Sequence, residues 1–259
     1  MTILSLEHVA TSPWGVRLLD NISFNLEPGN ILGVIGPNGA GKTSLLNLIA
    51  GDISLEHGQL RLSDKPLERW HRRDLARHMA YLPQLSLLNF PYTVEEVILL
   101  GRSPHDTGTD IDRAILEEVL AVADVAHLAE RLYTRLSGGE KQRVQLARVF
   151  TQIWQRGSLQ GKLLLLDEPT AALDISHQQS TGAAIRDLAD RGCAVVIVIH
   201  DFNAIAKLAD QVIALNDGRQ FAYGTPREVF TERLFEQVFA ADVVIGEHPY
   251  RDQPMIIAR

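Results

Sequence analysis

Apolar positions follow a strand rhythm in two stretches of the chain and a helical rhythm in the stretch between them. In the first stretch, residues 3–9 and 18–26 show a mixed, partly alternating pattern that predicts strands. Pro28-Gly29 marks a turn before the continuous apolar run 31–35. Residues 59–62 and 79–82 read as further strands, and the polar, basic stretch 66–78 between them as a helix. From residue 85 to about 153 strand-like runs disappear. Helical spacings take over at 94–100, 111–123, 125–132 and 141–154, which predicts an inserted helical subdomain. Strands return with Leu163-Leu164-Leu165-Leu166 and with the run 193–199, both unbroken, as the centre of a parallel sheet requires. A helix over 176–189 separates them. Residues 212–215 and 219–223, joined by Asn216-Asp217-Gly218, predict a hairpin; 232–239 predicts a helix, and 243–245 and 255–257 two short strands. The fold class is α/β.

Helix ends carry their own signals. Gly51 stops the helix that follows the first apolar strand, because glycine adopts the left-handed conformation without a side-chain penalty. Thr93 with Glu96, and Thr225-Pro226 with Glu228, have the spacing of capping boxes. Ser137 and Glu140 have it too, but that reading leaves Gly138 and Gly139 unexplained. Each costs about 1 kcal/mol relative to alanine in a first helical turn. What they offer is a bare helix N-terminus against which a phosphate can lie.

The chemistry centres on Gly36-Pro37-Asn38-Gly39-Ala40-Gly41-Lys42-Thr43, which spells a phosphate-binding loop between the strand at 31–35 and a helix. A random chain of this length matches that pattern on the order of once in a hundred, so the strand-loop-helix context decides for it. Glycines let backbone N–H groups converge on a triphosphate. The helix N-terminus adds its dipole, Lys42 a point charge, and the Thr43 hydroxyl a ligand for magnesium. Pro83-Gln84 ends the strand 79–82 at the ligand-facing edge of the sheet, where Gln84 can reach magnesium or an attacking water. Asp167 follows the four leucines and suits magnesium; Glu168, one residue on, points elsewhere and suits a general base. His200 ends the run 193–199 and can hydrogen-bond a γ-phosphate. Trp14 either stacks on a purine base or anchors its loop on the domain edge. His105, in the loop 101–105, reads as solvated.

Composition narrows the partners. The 259 residues suffice for a large core, with 46% apolar and 22% charged residues in the ordinary globular range. A formal charge of −7 argues against a nucleic-acid surface. The single cysteine, Cys193, fits a reducing compartment. With no run of 18 apolar residues and no signal-peptide pattern, the chain is expected neither to cross a membrane nor to be exported, while remaining able to dock onto a membrane protein.

The order of these pieces (phosphate loop, Gln84, Leu136-Ser137-Gly138-Gly139-Glu140, the leucine run with Asp167-Glu168, Leu173-Asp174, His200) resembles the ATP-binding subunits of ABC transporters over residues 2–246. The resemblance implies a P-loop NTPase (RecA-like) core with an N-terminal antiparallel β subdomain and an inserted helical subdomain. Within a single ABC ATP-binding domain it assigns residues 1–84 and 155–246 to the catalytic core, 85–154 to the helical subdomain with the signature motif, and 247–259 to a tail. It implies ATP and Mg2+ as cofactors. Gly36, Pro37, Asn38, Gly39, Ala40, Gly41, Lys42, Thr43 and Ser44 are then the nucleotide cradle, with Thr43, Gln84 and Asp167 around magnesium. Glu168 becomes the catalytic base, Gln84 and His200 the switches, and Trp14 the base-stacking residue, usually tyrosine in the family. Two copies pair head to tail, so Ser137, Gly138, Gly139 and Glu140 close over the partner's nucleotide and Asp174 communicates across the dimer. This accounts for the two glycines. Glu140 departs from the glutamine commonest at this position in the family; a glutamate there resembles importers of the iron-complex class.

The segments 90–97, 101–105, 145–154, 155–161 and 171–179 further resemble bacterial hemin-import ATPases, although ferric-siderophore and cobalamin importers share much of them. The implied partners are a second copy, two transmembrane permease subunits and an extracytoplasmic binding protein, at the cytoplasmic face of the inner membrane. Two other classes stay open: a soluble ABC-type mechanical ATPase, which typically carries two cassettes or a coiled-coil insertion, and a small-molecule P-loop kinase, which leaves Ser137–Glu140 without a purpose.

Overall fold

The computed structural model describes residues 2–84 and 88–259, and its backbone forms one large sheet and a separate hairpin. The sheet strands are β1 (Leu4–Thr11), β2 (Leu19–Leu26), β3 (Ile31–Ile35), β4 (His57–Leu62), β5 (Lys65–Pro66), β6 (Met79–Leu82), β7 (Leu163–Asp167), β8 (Ala194–Val198), β9 (Gln211–Asn216) and β10 (Arg219–Gly224). Their order is β5-β4-β1-β2-β10-β9-β3-β8-β7-β6. The run from β9 to β6 is parallel, whereas β1 pairs antiparallel with β2 and β4, and β9 with β10. This is a RecA-like P-loop NTPase core continued into an N-terminal antiparallel β subdomain.

The helices are α1 (Lys42–Ala50), α2 (Arg72–His78), α3 (Val94–Leu99), α4 (Thr109–Val122), α5 (Gly138–Ile153), α6 (Ile175–Asp190), α7 (Phe202–Leu208), α8 (Pro226–Val229) and α9 (Glu232–Phe239). The unbroken apolar strands work because alternate residues serve two cores. Leu164, Leu166, Val195 and Ile197 pack with the helices of the inserted segment, and Leu163, Leu165, Ala194 and Val196 with α1 and the antiparallel strands. The ligand-facing ends of β3, β6, β7 and β8 therefore meet at one edge, where α1 begins.

Two expected helices differ. Residues 125–132 form only a 3-10 turn at Ala126–Leu128, because the following chain is drawn out to donate and accept backbone hydrogen bonds around residues 92–95. The stretch 66–78 splits into β5, a 3-10 turn at Leu67–Arg69 and α2, since Trp70 is extended and its indole donates to the Leu62 carbonyl. His105 is half-buried rather than solvated: its Nε2 lies 2.7 Å from the Gln152 carbonyl, and burial lowers its pKa. Residues 85–87, the expected start of the helical subdomain, lie outside the described residues. The C-terminal strands form a hairpin of their own, β11 (Val243–Glu247) with β12 (Pro254–Ala258). Cys193 is fully buried and its thiol is pushed up to about 12 by desolvation, which keeps it unreactive. No helix among the described residues is long and apolar enough to cross a membrane.

Candidate nucleotide site

β3 delivers the chain to Gly36, whose φ is +154°; a Cβ there would lie 2.4 Å from the Leu215 carbonyl oxygen. Only a residue without a side chain passes. Gly39 and Gly41 have φ of +82° and +99°, and Gly41 begins α1 with no side-chain cap, so its first N–H groups are left for another acceptor. Pro37, Asn38 and Ala40 complete the arch, and Thr43 and Ser44 open α1. Lys42 Nζ folds back and donates to the Gly36 and Pro37 carbonyls at 2.8 and 2.9 Å. Burial lowers the Lys42 pKa, and the nearby Glu168 and Asp167 oppose that shift.

The two acids at the end of β7 diverge. Asp167 is buried and accepts a 2.8 Å hydrogen bond from Thr43 Oγ1, and desolvation raises its pKa. Glu168 has a left-handed backbone, φ +52°, a conformation that costs on the order of 1 kcal/mol. Its N–H donates to the Val198 carbonyl, and its Oε1 lies 2.6 Å from His200 Nε2. Gln84 is exposed and follows β6, whose Leu82 pairs with Leu166 of β7; it is thus level with the two acids on the neighbouring strand. A cavity of about 290 Å³ opens between the phosphate loop and His200, lined by Gly36, Pro37, Asn38, Lys42, His200, Phe202 and Phe239 among others. Trp14 is 75% exposed in a loop that returns to α1: a Cβ on Gly41 would lie 3.1 Å from the Leu18 carbonyl oxygen.

Thr43 and Asp167 offer magnesium hard oxygen donors, and Gln84 stands near. Among the described residues no group of three or more His, Cys, Asp or Glu side chains could hold a metal alone. A sparse oxygen set fits magnesium, which keeps waters and shares the phosphates of its nucleotide.

A second helix N-terminus stands apart from this cradle. Ser137 Oγ accepts from Glu140 N and the Glu140 carboxylate accepts from Ser137 N, a closed capping box at the head of α5. Gly138 faces open space, whereas a Cβ on Gly139 would lie 3.1 Å from the Ala172 carbonyl oxygen. Asp174 caps α6 by accepting from His177 N and sits next to the His177 ring. Within one chain, then, the phosphate loop, Asp167, Glu168, His200 and the end of β6 come together. Among the described residues no side-chain hydrogen bond joins Ser137 or Glu140 to that cluster.

The ABC transporter family description matches residues 19–171, more than half of the chain. The chain belongs to that family. ABC ATP-binding subunits bind ATP and hydrolyse it to drive transport, and this chain is an ATP hydrolase of that kind. The hemin import ATP-binding protein HmuV of Pseudomonas entomophila is 47% identical over 257 residues, 99% of this ABC chain and 100% of that protein. The HmuV of Escherichia coli O157:H7 is 40% identical, covering 98% and 99%. Among solved structures, a chain from an inward-facing ABC transporter superposes with a TM-score of 0.82 at 27% identity, covering 100% and 97%. The cbiO1 protein of Clostridium perfringens, part of the ABC transporter complex cbiONQ, gives 0.76 at 25%, covering 90% and 92%.

Sequence reasoning missed Gln142, whose side-chain amide donates to the Glu168 and Pro169 carbonyls at 3.4 and 3.2 Å and so ties α5 to the catalytic edge. It also missed Phe202 and Phe239, which wall the cavity. A polar side chain one turn into α5, on the side of Gly139, was the available signal for Gln142. For Phe239 there was none.

Proposed function

We propose that this chain is the ATPase subunit of a hemin importer, acting as a head-to-tail homodimer beneath two transmembrane permease subunits at the cytoplasmic face of the inner membrane. An extracytoplasmic binding protein would deliver the cargo. The full-length agreement with hemin import ATP-binding proteins carries the cargo assignment. Exposed Phe90 and Tyr92, with rings 6.1 Å apart near the start of the inserted helical segment, support a protein partner there.

Trp14 stacks on the adenine, and the arch from Gly36 to Ser44 holds the phosphates through its N–H groups and Lys42. Thr43, Asp167 and Gln84 would hold magnesium, which neutralises phosphate charge when bound. Water attacks the γ-phosphorus in line, Glu168 accepts its proton, and the bond to the β,γ-bridging oxygen breaks to leave ADP. His200 contacts the γ-phosphate and, through its 2.6 Å contact, orients Glu168. Ser137, Gly138, Gly139 and Glu140 of the partner copy complete the site, with Asp174 beside them at the interface.

The dimer reading is supported by one observation: at the head of α5 Gly138 faces open space, while the Ser137 and Glu140 side chains bond, among the described residues, only to each other's residue and to Arg131 and leave that face uncovered by their own chain. Glu168→Gln tests the mechanism. Turnover should fall about 10²–10³-fold while ATP binding persists and dimers accumulate in light scattering. Parental turnover would overturn the general-base assignment. For the cargo, the transporter reconstituted with the permease that co-purifies with this chain should take up hemin; uptake of a ferric siderophore or cobalamin instead overturns that part.

A further inference from the structure

His200 sits at the end of β8, and the residues right after it are gripped from three sides. Asp201 caps α7 by accepting from Asn203 N and Ala204 N at 2.8 and 3.1 Å. The Phe202 ring stands edge-on to Phe235 and Phe239, with centroids 4.9 and 4.8 Å away. On its inner face α7 lies so close to β3 that a Cβ on Gly33 would be 2.8 Å from Ile205 Cγ2.

The third grip comes from the C-terminal hairpin. The Asn203 side chain donates through Nδ2 to the Ile256 carbonyl at 3.1 Å and accepts through Oδ1 from Ile256 N at 2.8 Å. It thus reads one residue of β12 as another strand would. The hairpin is itself pinned: Arg227 donates to both Glu247 oxygens at 2.8 Å and also pairs with Asp252, while Arg259 reaches Asp242 at 3.3 Å. A two-point amide clamp between exposed segments 53 residues apart contributes only modestly to stability. Its geometry is specific: both polar atoms of the Asn203 amide are held, and Asn203 stands in the first turn of α7, three residues after His200.

We propose that Asn203 is a positioning residue: by clamping α7 to β12 it sets His200 against Glu168, making the C-terminal hairpin part of the hydrolytic apparatus. This rests on the reading of His200 as the contact to the γ-phosphate and to Glu168. Two variants break the clamp from opposite sides. Asn203→Ala removes the amide, and Ile256→Pro removes the single N–H it accepts from, an N–H that points away from β11. In the full chain each should lower kcat about tenfold with a much smaller change in the KM for ATP, since Trp14 and the phosphate loop are untouched and only the His200 contact shifts.

The ring signal of His200 in NMR spectra of histidine-labelled protein, assigned with His200→Ala, should move in both variants. The signal of His57 on β4 should stay. Combining the two substitutions should add nothing to either alone. A His200 signal that stays in place in both variants, whether or not kcat falls, overturns the proposal. A displaced His200 signal with parental kcat upholds the clamp and overturns instead the part given to His200 in turnover.

Discussion

The chain builds two glycine-rich helix heads, and they are finished in opposite ways. At α1 the head is left unfinished: Gly41 supplies no side-chain cap, and glycines with positive φ let the arch press against the Leu215 and Leu18 carbonyls. At α5 the head is closed by its own Ser137–Glu140 box and has ordinary helical glycines, one in open space. The first head needs a ligand to complete it. The second is stable alone and presents a smooth surface, as a lid for another molecule's nucleotide should. Glycine therefore serves the phosphate arch by backbone freedom together with the bareness that Gly36 needs, and the α5 head by the absence of a side chain alone.

The largest expected effect breaks the comparison at its root. Gly36→Ala forces a Cβ to 2.4 Å from a backbone oxygen, so it should cost more than about 2 kcal/mol of stability and abolish ATP binding, read by thermal melting and nucleotide titration. Gly138→Ala should leave the fold intact, with stability unchanged or raised by up to about 1 kcal/mol, and ATP binding by the single chain unaffected. Only ATP-driven pairing and turnover should fall, by about 10²-fold. Equal losses of binding in the two variants would remove the distinction.

Asp167 sharpens the cradle side. Burial holds its carboxyl above the ordinary carboxylate range in the folded chain. Stability from that site is thus fully present below the ordinary carboxylate range and is lost as pH rises through the raised value. Asp167→Asn should raise the melting temperature at neutral pH, with the gain vanishing in acid, while turnover collapses. The smallest effect belongs to the lid. Glu140→Gln keeps an acceptor for Ser137 N and should change stability by less than about 0.5 kcal/mol, whereas Glu140→Ala should cost about 1 kcal/mol in denaturant titrations.

The elements around the cradle were legible because their signals are local. A buried parallel strand announces itself as Leu163–Leu166, and the glycine spacing from Gly36 to Gly41 follows from phosphate geometry. The capping boxes at Thr93, Ser137 and Thr225 are likewise four-residue signals, and all three are closed. Residues 125–132 misled because their helical spacing was satisfied by packing of Val125 and Leu128 while the backbone bonded to residues 92–95. Trp70 misled similarly, its indole held by Leu62 across the sheet edge. Contacts such as Asn203 to Ile256 or His200 to Glu168 join segments dozens of residues apart, and no periodicity within either segment encodes them.

The close approach of Gly139 to Ala172 has a mechanical meaning in the proposed pair. Ala172 lies four residues beyond Glu168, on the same short loop. In the proposed pair, a rearrangement of that loop after hydrolysis at one cradle would be passed to the lid that the same polypeptide holds over its partner. In that pair the two nucleotides would report to each other through this contact, and neither half of the assembly would turn over unheard by the other.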